Sequence, residues 1–162
     1  MRSFSRADER RDFEAVIIRT DYRDERAWRL VKNALSKSPL GIIEKCPPNA
    51  WIVDDPEWSG ASVDEVLDVV DSSDALKGLQ VLFMADGVAM QAAHHALMVV
   101  TTESQDESYG EEICEETMKF GRVFRTLPEE VHSIHVDLEL ANMGFDDFAA
   151  AAHDDPQDIY RS

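Results

Sequence analysis

Four aspartates stand directly after short apolar runs: Asp21 after Ala15-Val16-Ile17-Ile18-Arg19-Thr20, Asp54 and Asp55 after Trp51-Ile52-Val53, and Asp86 after Leu82-Phe83-Met84-Ala85. If those runs are parallel strands, their ends lie on one edge of a sheet and the carboxylates converge on one rim. Clustered carboxylates suit Mg²⁺, a hard cation that takes oxygen ligands. Asp21, Asp54 and Asp86 are the metal set this reading implies. Hydroxyls at Thr101 or Thr102 after a fourth run add the outline of a phospho-acceptor site. The outline is incomplete: Asp21 has Thr20 and Tyr22 as neighbours rather than a second acid, and Lys119 precedes the fifth run instead of following it. Aspartate is also the preferred residue at helix N-caps and in turns, and that duller role carries more weight here.

Other reactive side chains give weaker patterns. His94-His95 would face opposite sides of a strand, whereas His132 and His135 share one face of a helix. A zinc site on that helix needs a third ligand, with Glu129 or Asp137 the nearest candidates, and the spacing specifies neither. Cys46 precedes Pro47-Pro48, and Cys114 lies among Glu112, Glu115 and Glu116, which disfavour a thiolate. Two distant cysteines outside any CxxC pattern read as free thiols. There is no G-x-S-x-G elbow, no Walker loop and no G-x-G-x-x-G. No catalytic residue and no cofactor is therefore expected, and the chain reads as non-enzymatic.

The elements that would position these side chains alternate between strand and helix. The β-branched run 15–18 predicts a buried strand. A helix follows to about Lys37, with Asp21 as its cap, Asp24 and Glu25 in its first turn, and Ala27, Leu30, Val31 and Ala34 as its apolar stripe. Residues 39–50 read as a loop and 51–53 as a second strand. Ser62-x-x-Glu65 is a capping box, followed by Val63, Val66, Leu67 and Val70 at helical spacing. Residues 79–84 and 96–100 predict two more strands, with a short helix through Met90 between them. Val123-Phe124-Arg125 predicts a fifth strand, and Pro128 opens a helical turn. Residues 131–143 are ambiguous between helix and strand, and Phe145, Phe148, Ala149 and Ala152 mark a last helix. This order predicts a single α/β domain over residues 14–153, with a mostly parallel or mixed sheet of about five strands and helices on both faces. A flexible Arg-rich arm (1–13) precedes it, an acidic insertion (103–116) interrupts it and a polar tail follows from 154.

Charge narrows the class of partner. Residues 1–50 hold 11 Lys+Arg and 8 Asp+Glu, a net of +3; the remaining 5 Lys+Arg and 25 Asp+Glu give −20, and together they make −17. Such a surface opposes nucleic acid and anionic membranes, where phosphate demands Lys and Arg. No apolar run approaches the ~20 residues of a membrane span, and the first residues lack a signal peptide's apolar stretch, so the cytoplasm is the expected location. A basic protein is the complementary partner. The Arg-rich arm could instead neutralise the acidic part within the chain or across a homo-oligomer. Trp58, beside Asp54 and Asp55, is a candidate anchor for a partner's arginine if it is exposed. Folded back on the sheet, it would be core.

Four segments stand out together: Val16-Ile17-Ile18-Arg19-Thr20-Asp21 with Trp28, Val53-Asp54-Asp55-Pro56 with Gly60, Leu127-Pro128-Glu129-Glu130, and Leu138-Glu139-Leu140-Ala141-Asn142-Met143-Gly144-Phe145-Asp146-Asp147-Phe148. Together they resemble a family of small, acidic, mainly bacterial proteins classed as a domain of unknown function. The resemblance spans most of residues 14–150, and its Ala-Asn-Met-x-Phe-x-x-Phe stretch is the most specific part. It brings no catalytic residues with it. It implies one domain and marks Asn142 as a binding candidate beside a structural role in a turn. The expected function is a protein-interaction module, immunity-like or inhibitory, for a basic partner. The alternative is a carboxylate–Mg²⁺ enzyme or phospho-acceptor at the rim.

Overall fold

The computed structural model describes residues 15–35, 50–73, 76, 79–92, 94–102, 123–139 and 144–161. The Arg-rich arm, the acidic insertion, Asn142, Cys46 and Cys114 lie outside the described residues. In chain order the elements are β1 (Ala15–Arg19), α1 (Glu25–Leu35), β2 (Ala50–Val53), a 3₁₀ turn (Pro56–Trp58), α2 (Val63–Ser72), β3 (Val81–Ala85), α3 (Gly87–Gln91), β4 (Leu97–Thr101), β5 (Val123–Thr126), a second 3₁₀ turn (Pro128–Glu130), α4 (Val131–Glu139), α5 (Phe145–Asp154) and β6 (Ile159–Tyr160). The ambiguous stretch 131–143 is thus a helix as far as Glu139.

One mixed sheet holds the order β2-β1-β3-β4-β5-β6. β1 pairs parallel with both β2 and β3; β4 is antiparallel to β3 and β5; β6 is parallel to β5. Two expectations change. The strands number six rather than about five, because Ile159 and Tyr160, assigned to a polar tail, pair with Arg125 and Thr126. A two-residue strand carries no periodicity, so only its neighbours identify it. Thr101 and Thr102 fall on the edge opposite the aspartates, because β4 runs against β3; Thr102 there bonds the Leu79 carbonyl through its hydroxyl.

The period-2 alternation of the strands sorts the core into two layers. Ala15, Ile17, Phe83, Val99 and Phe124 face α1, α4 and α5, packing on Trp28, Val31, Ile134, Phe148 and Ala152. Val16, Ile18, Leu82, Met84 and Val100 face α2, packing on Trp58, Val66 and Val70. Helices therefore cover both faces. Phe148 anchors the first layer, stacking on Phe124 at 6.5 Å and meeting Tyr160 edge-on at 5.0 Å. The capping box at α2 forms as expected: Glu65 N donates to Ser62 Oγ at 3.2 Å and Ser62 N to Glu65 Oε2 at 2.8 Å. Since Ser62 is exposed and Phe148 is buried, urea titration should rank two variants clearly. Phe148→Ala should lose about 3–5 kcal/mol through cavity formation, and Ser62→Ala about 1 kcal/mol through one lost cap.

Candidate functional site

The C-terminal ends of β1, β2, β3, β5 and β6 share one edge of the sheet. Its centre is Arg19, the last residue of β1 and only 2% exposed. A buried guanidinium needs partners for its donors. Nε donates to the Asp21 carbonyl at 3.0 Å, Nη2 to Glu25 at 2.7 Å and Nη1 to Asp54 at 3.3 Å. Its flat faces are covered as well: the Tyr22 ring lies 4.2 Å away and the Trp28 ring 5.2 Å. Trp28 Nε1 donates to the other oxygen of Asp54 at 3.1 Å. Burial pulls the Arg19 pKa down, but the hydrogen bonds and charges of Glu25 and Asp54 outweigh it and hold the group above its ordinary value. Burial, reinforced by the Asp54 charge and opposed by Arg19, pushes Tyr22 up to about 12.

Asp21, 6% exposed, pairs with Arg23 rather than capping α1. Arg23 Nη2 donates to Oδ2 at 2.7 Å and the Arg23 backbone N–H to Oδ1 at 2.9 Å. The bond to the Arg23 side chain, against the opposing effect of burial, holds the Asp21 carboxyl below the usual carboxylate range. The cap of α1 is Asp24, whose Oδ1 accepts from Ala27 N at 3.0 Å. Asp55 caps the 3₁₀ turn through Glu57 N at 3.0 Å, and Asp86 caps α3 through Ala89 N at 3.1 Å. Asp86 has a second role: Arg125 grips it with both terminal nitrogens, Nη1–Oδ1 at 3.0 Å and Nη2–Oδ2 at 2.7 Å.

Asp21, Asp54, Asp55 and Asp86 therefore stand on one rim, as the strand ends imply. Each is already engaged. Asp21, Asp54 and Asp86 each face a different arginine, and among the described residues no group of three His, Cys, Asp or Glu could hold a metal. A cation there would have to displace a guanidinium from each carboxylate. Trp58 is fully buried in the layer beneath α2, so it is core and not an exposed anchor. Pro56 starts the 3₁₀ turn that carries it inward. His132 and His135 do share a helix face, but both are buried, and His132 bonds the Leu35 backbone at the end of α1. His94 and His95 lie in the turn before β4; His95 adopts φ 52° and its Nδ1 is 2.9 Å from the Ala89 carbonyl.

With the site described, its relatives can be placed. A family model for a domain of unknown function, DUF6924, matches residues 14–162. The chain belongs to this family. Its match runs through Ile159 and Tyr160, the residues of β6. No curated protein matches the chain. The arginines at the rim, Arg19 and Arg125, are the residues that spacing alone passed over. The available signal for Arg19 was a charged residue closing an otherwise apolar β-branched run, next to three acids.

Two outcomes follow. Arg19→Gln should cost about 2–4 kcal/mol in urea titration, because it strips a buried, charge-assisted network. Glu25→Gln, at a carboxylate 67% exposed, should cost less than about 0.5 kcal/mol. In the second, burial holds His132 below the ordinary 6.5, opposed only by its bond to the Leu35 backbone. The unfolded chain then binds more protons, so His132 contributes stability above about 6.5 that is lost on acidification through its folded pKa. The melting temperature should fall from pH 7.5 to 5.5, and His132→Gln should flatten that fall.

Proposed function

We propose that this protein is a non-enzymatic interaction module that receives a basic partner protein on the face carried by α2, in the cytoplasm. The observation behind this reading is that residues 50–73 carry seven carboxylates and no Lys or Arg. Asp64, Glu65, Asp68 and Asp71 are exposed on α2, whose apolar side holds Val66 and Val70. Asp54, Asp55 and Glu57 extend the same charge to the rim. A field of one sign over a rigid helix steers an oppositely charged partner and speeds its association. The arginine-paired rim gives no comparable support to Mg²⁺ or phosphoryl chemistry.

The test exploits the two faces of the sheet. Asp68→Lys with Asp71→Lys changes the charge by +4 on α2, near a helix C-terminus where cations are favoured. Asp137→Lys with Asp154→Lys makes the same change on α4 and α5, across the sheet. Anisotropy with a labelled arginine-rich peptide should show binding that weakens steeply from about 0.01 M to 0.15 M salt, as the screening length shortens from about 30 Å to 8 Å. The α2 variant should lose about tenfold or more in affinity and the α4/α5 variant much less. Equal losses would reduce the effect to net charge and sink the reading.

A further inference from the structure

α2 packs over β1, β2 and β3 and reaches Val100 near the end of β4. On the same face, beyond it, β4, β5 and β6 leave a concavity of about 450 Å³, whose lining includes Val88, His94, Met98, Val123, Arg125 and Asp158. This volume lies in the range of small-molecule sites. Among the described residues three large hydrophobic side chains are exposed, and two of them, Val88 (51%) and Val123 (38%), line this groove.

The polar end is organised. Asp86 and the Ala96 carbonyl hold Arg125 by its Nη1 and Nη2 hydrogens. Its Nε–H and second Nη2–H, the side edge of the fork, bond nothing among the described residues. That edge matches the two oxygens of a carboxylate. His94 Nδ1 accepts from Ala96 N at 3.0 Å, so the neutral ring carries its proton on Nε2, a third donor. The side chain is kept neutral: burial first, then the charges of Arg125, Arg161 and His95, hold its pKa below the ordinary value. Asp158, the one acid in the lining, is 78% exposed and lies 3.8 Å from His153. Asp158 has a positive φ of 56°.

We propose that this groove binds a small amphipathic carboxylate, a medium-chain organic acid whose carboxylate meets Arg125 and His94 and whose apolar body lies on Met98, Val123 and Val88. The site is separate from the acidic face of α2 and stands or falls independently of it.

Octanoate, 1-octanol and octylamine distinguish the parts of this proposal, followed by methyl and imidazole NMR of the full chain. Octanoate should give saturable shifts at Val88, Val123 and His94. Octanol should bind about tenfold more weakly or worse, and octylamine should leave these signals unmoved. Val123→Glu puts a carboxylate on the apolar floor, on the same strand face as Arg125, and should abolish binding. Arg125→Gln should reduce octanoate to the level of octanol. If Arg125→Gln fails to fold, the octanoate-to-octanol ratio and Val123→Glu still decide. No saturable shift up to about 10 mM, equal affinity for octanoate and octanol, or full binding by Val123→Glu would each overturn the proposal.

Discussion

The buried guanidinium of Arg19 is the constraint around which the upper edge of the sheet is arranged. A cation 2% exposed at the end of a central strand is costly unless its donors and faces are matched. The chain matches them from three separate segments: Asp21 and Tyr22 after β1, Glu25 and Trp28 on α1, and Asp54 after β2. Meeting these demands sets where α1 begins and how closely β2 approaches. The Thr20 carbonyl, next in the chain, accepts from Gly60 N at 2.9 Å, which ties down the turn after Trp58; Gly60 reaches that position with φ 73°. The edge is thus a chain of ion pairs closing a fold, and its carboxylates serve guanidinium groups first.

A similar economy appears at β5. Arg125 caps the open side of the sheet by gripping Asp86, which at the same time caps α3. One carboxylate serves a helix terminus and an ion pair, so β3, α3 and β5 meet at a single side chain. Close approach is needed here too. A Cβ on Gly87 would stand 3.0 Å from Asp21 Oδ2 and 2.9 Å from Arg23 Nη2, so glycine lets the Asp21–Arg23 pair lie against the start of α3. The reversal of β4 is what brings β5 back to this edge and delivers Arg125 to it.

Much of this was legible beforehand where the signal is local. The run 15–18, the Ser62–Glu65 box, the stripe of α2 and the Phe148 helix report short-range preferences and burial on one face, and all stand where periodicity puts them. The turn and cap roles of Asp55 and Asp86 belong to the same class. Less local features were not legible. Asp21 pairs with Arg23 instead of capping α1, because Asp24 is better placed for the first turn. Trp58 reads from its polar neighbours as either an exposed anchor or core, and it lies under α2 because the 3₁₀ turn carries it inward. Strand direction at β4 leaves no mark in composition, and so Thr101 and Thr102 were assigned to the wrong edge.

The amino-acid sequence by itself determined the class of fold, the two apolar layers and the acidity of the segment 50–73, since these follow from residue type and from periods of 2 and 3.6. Tertiary structure alone decided which charges meet. Arg19 and Asp54 are 35 positions apart, Asp86 and Arg125 are 39; only the order β2-β1-β3-β4-β5-β6 and the reversal at β4 bring them together. Pairing energies act over a few ångströms of space and carry no sequence period. The rim's aspartates could therefore be named from the sequence, while their partners could be named only from the fold.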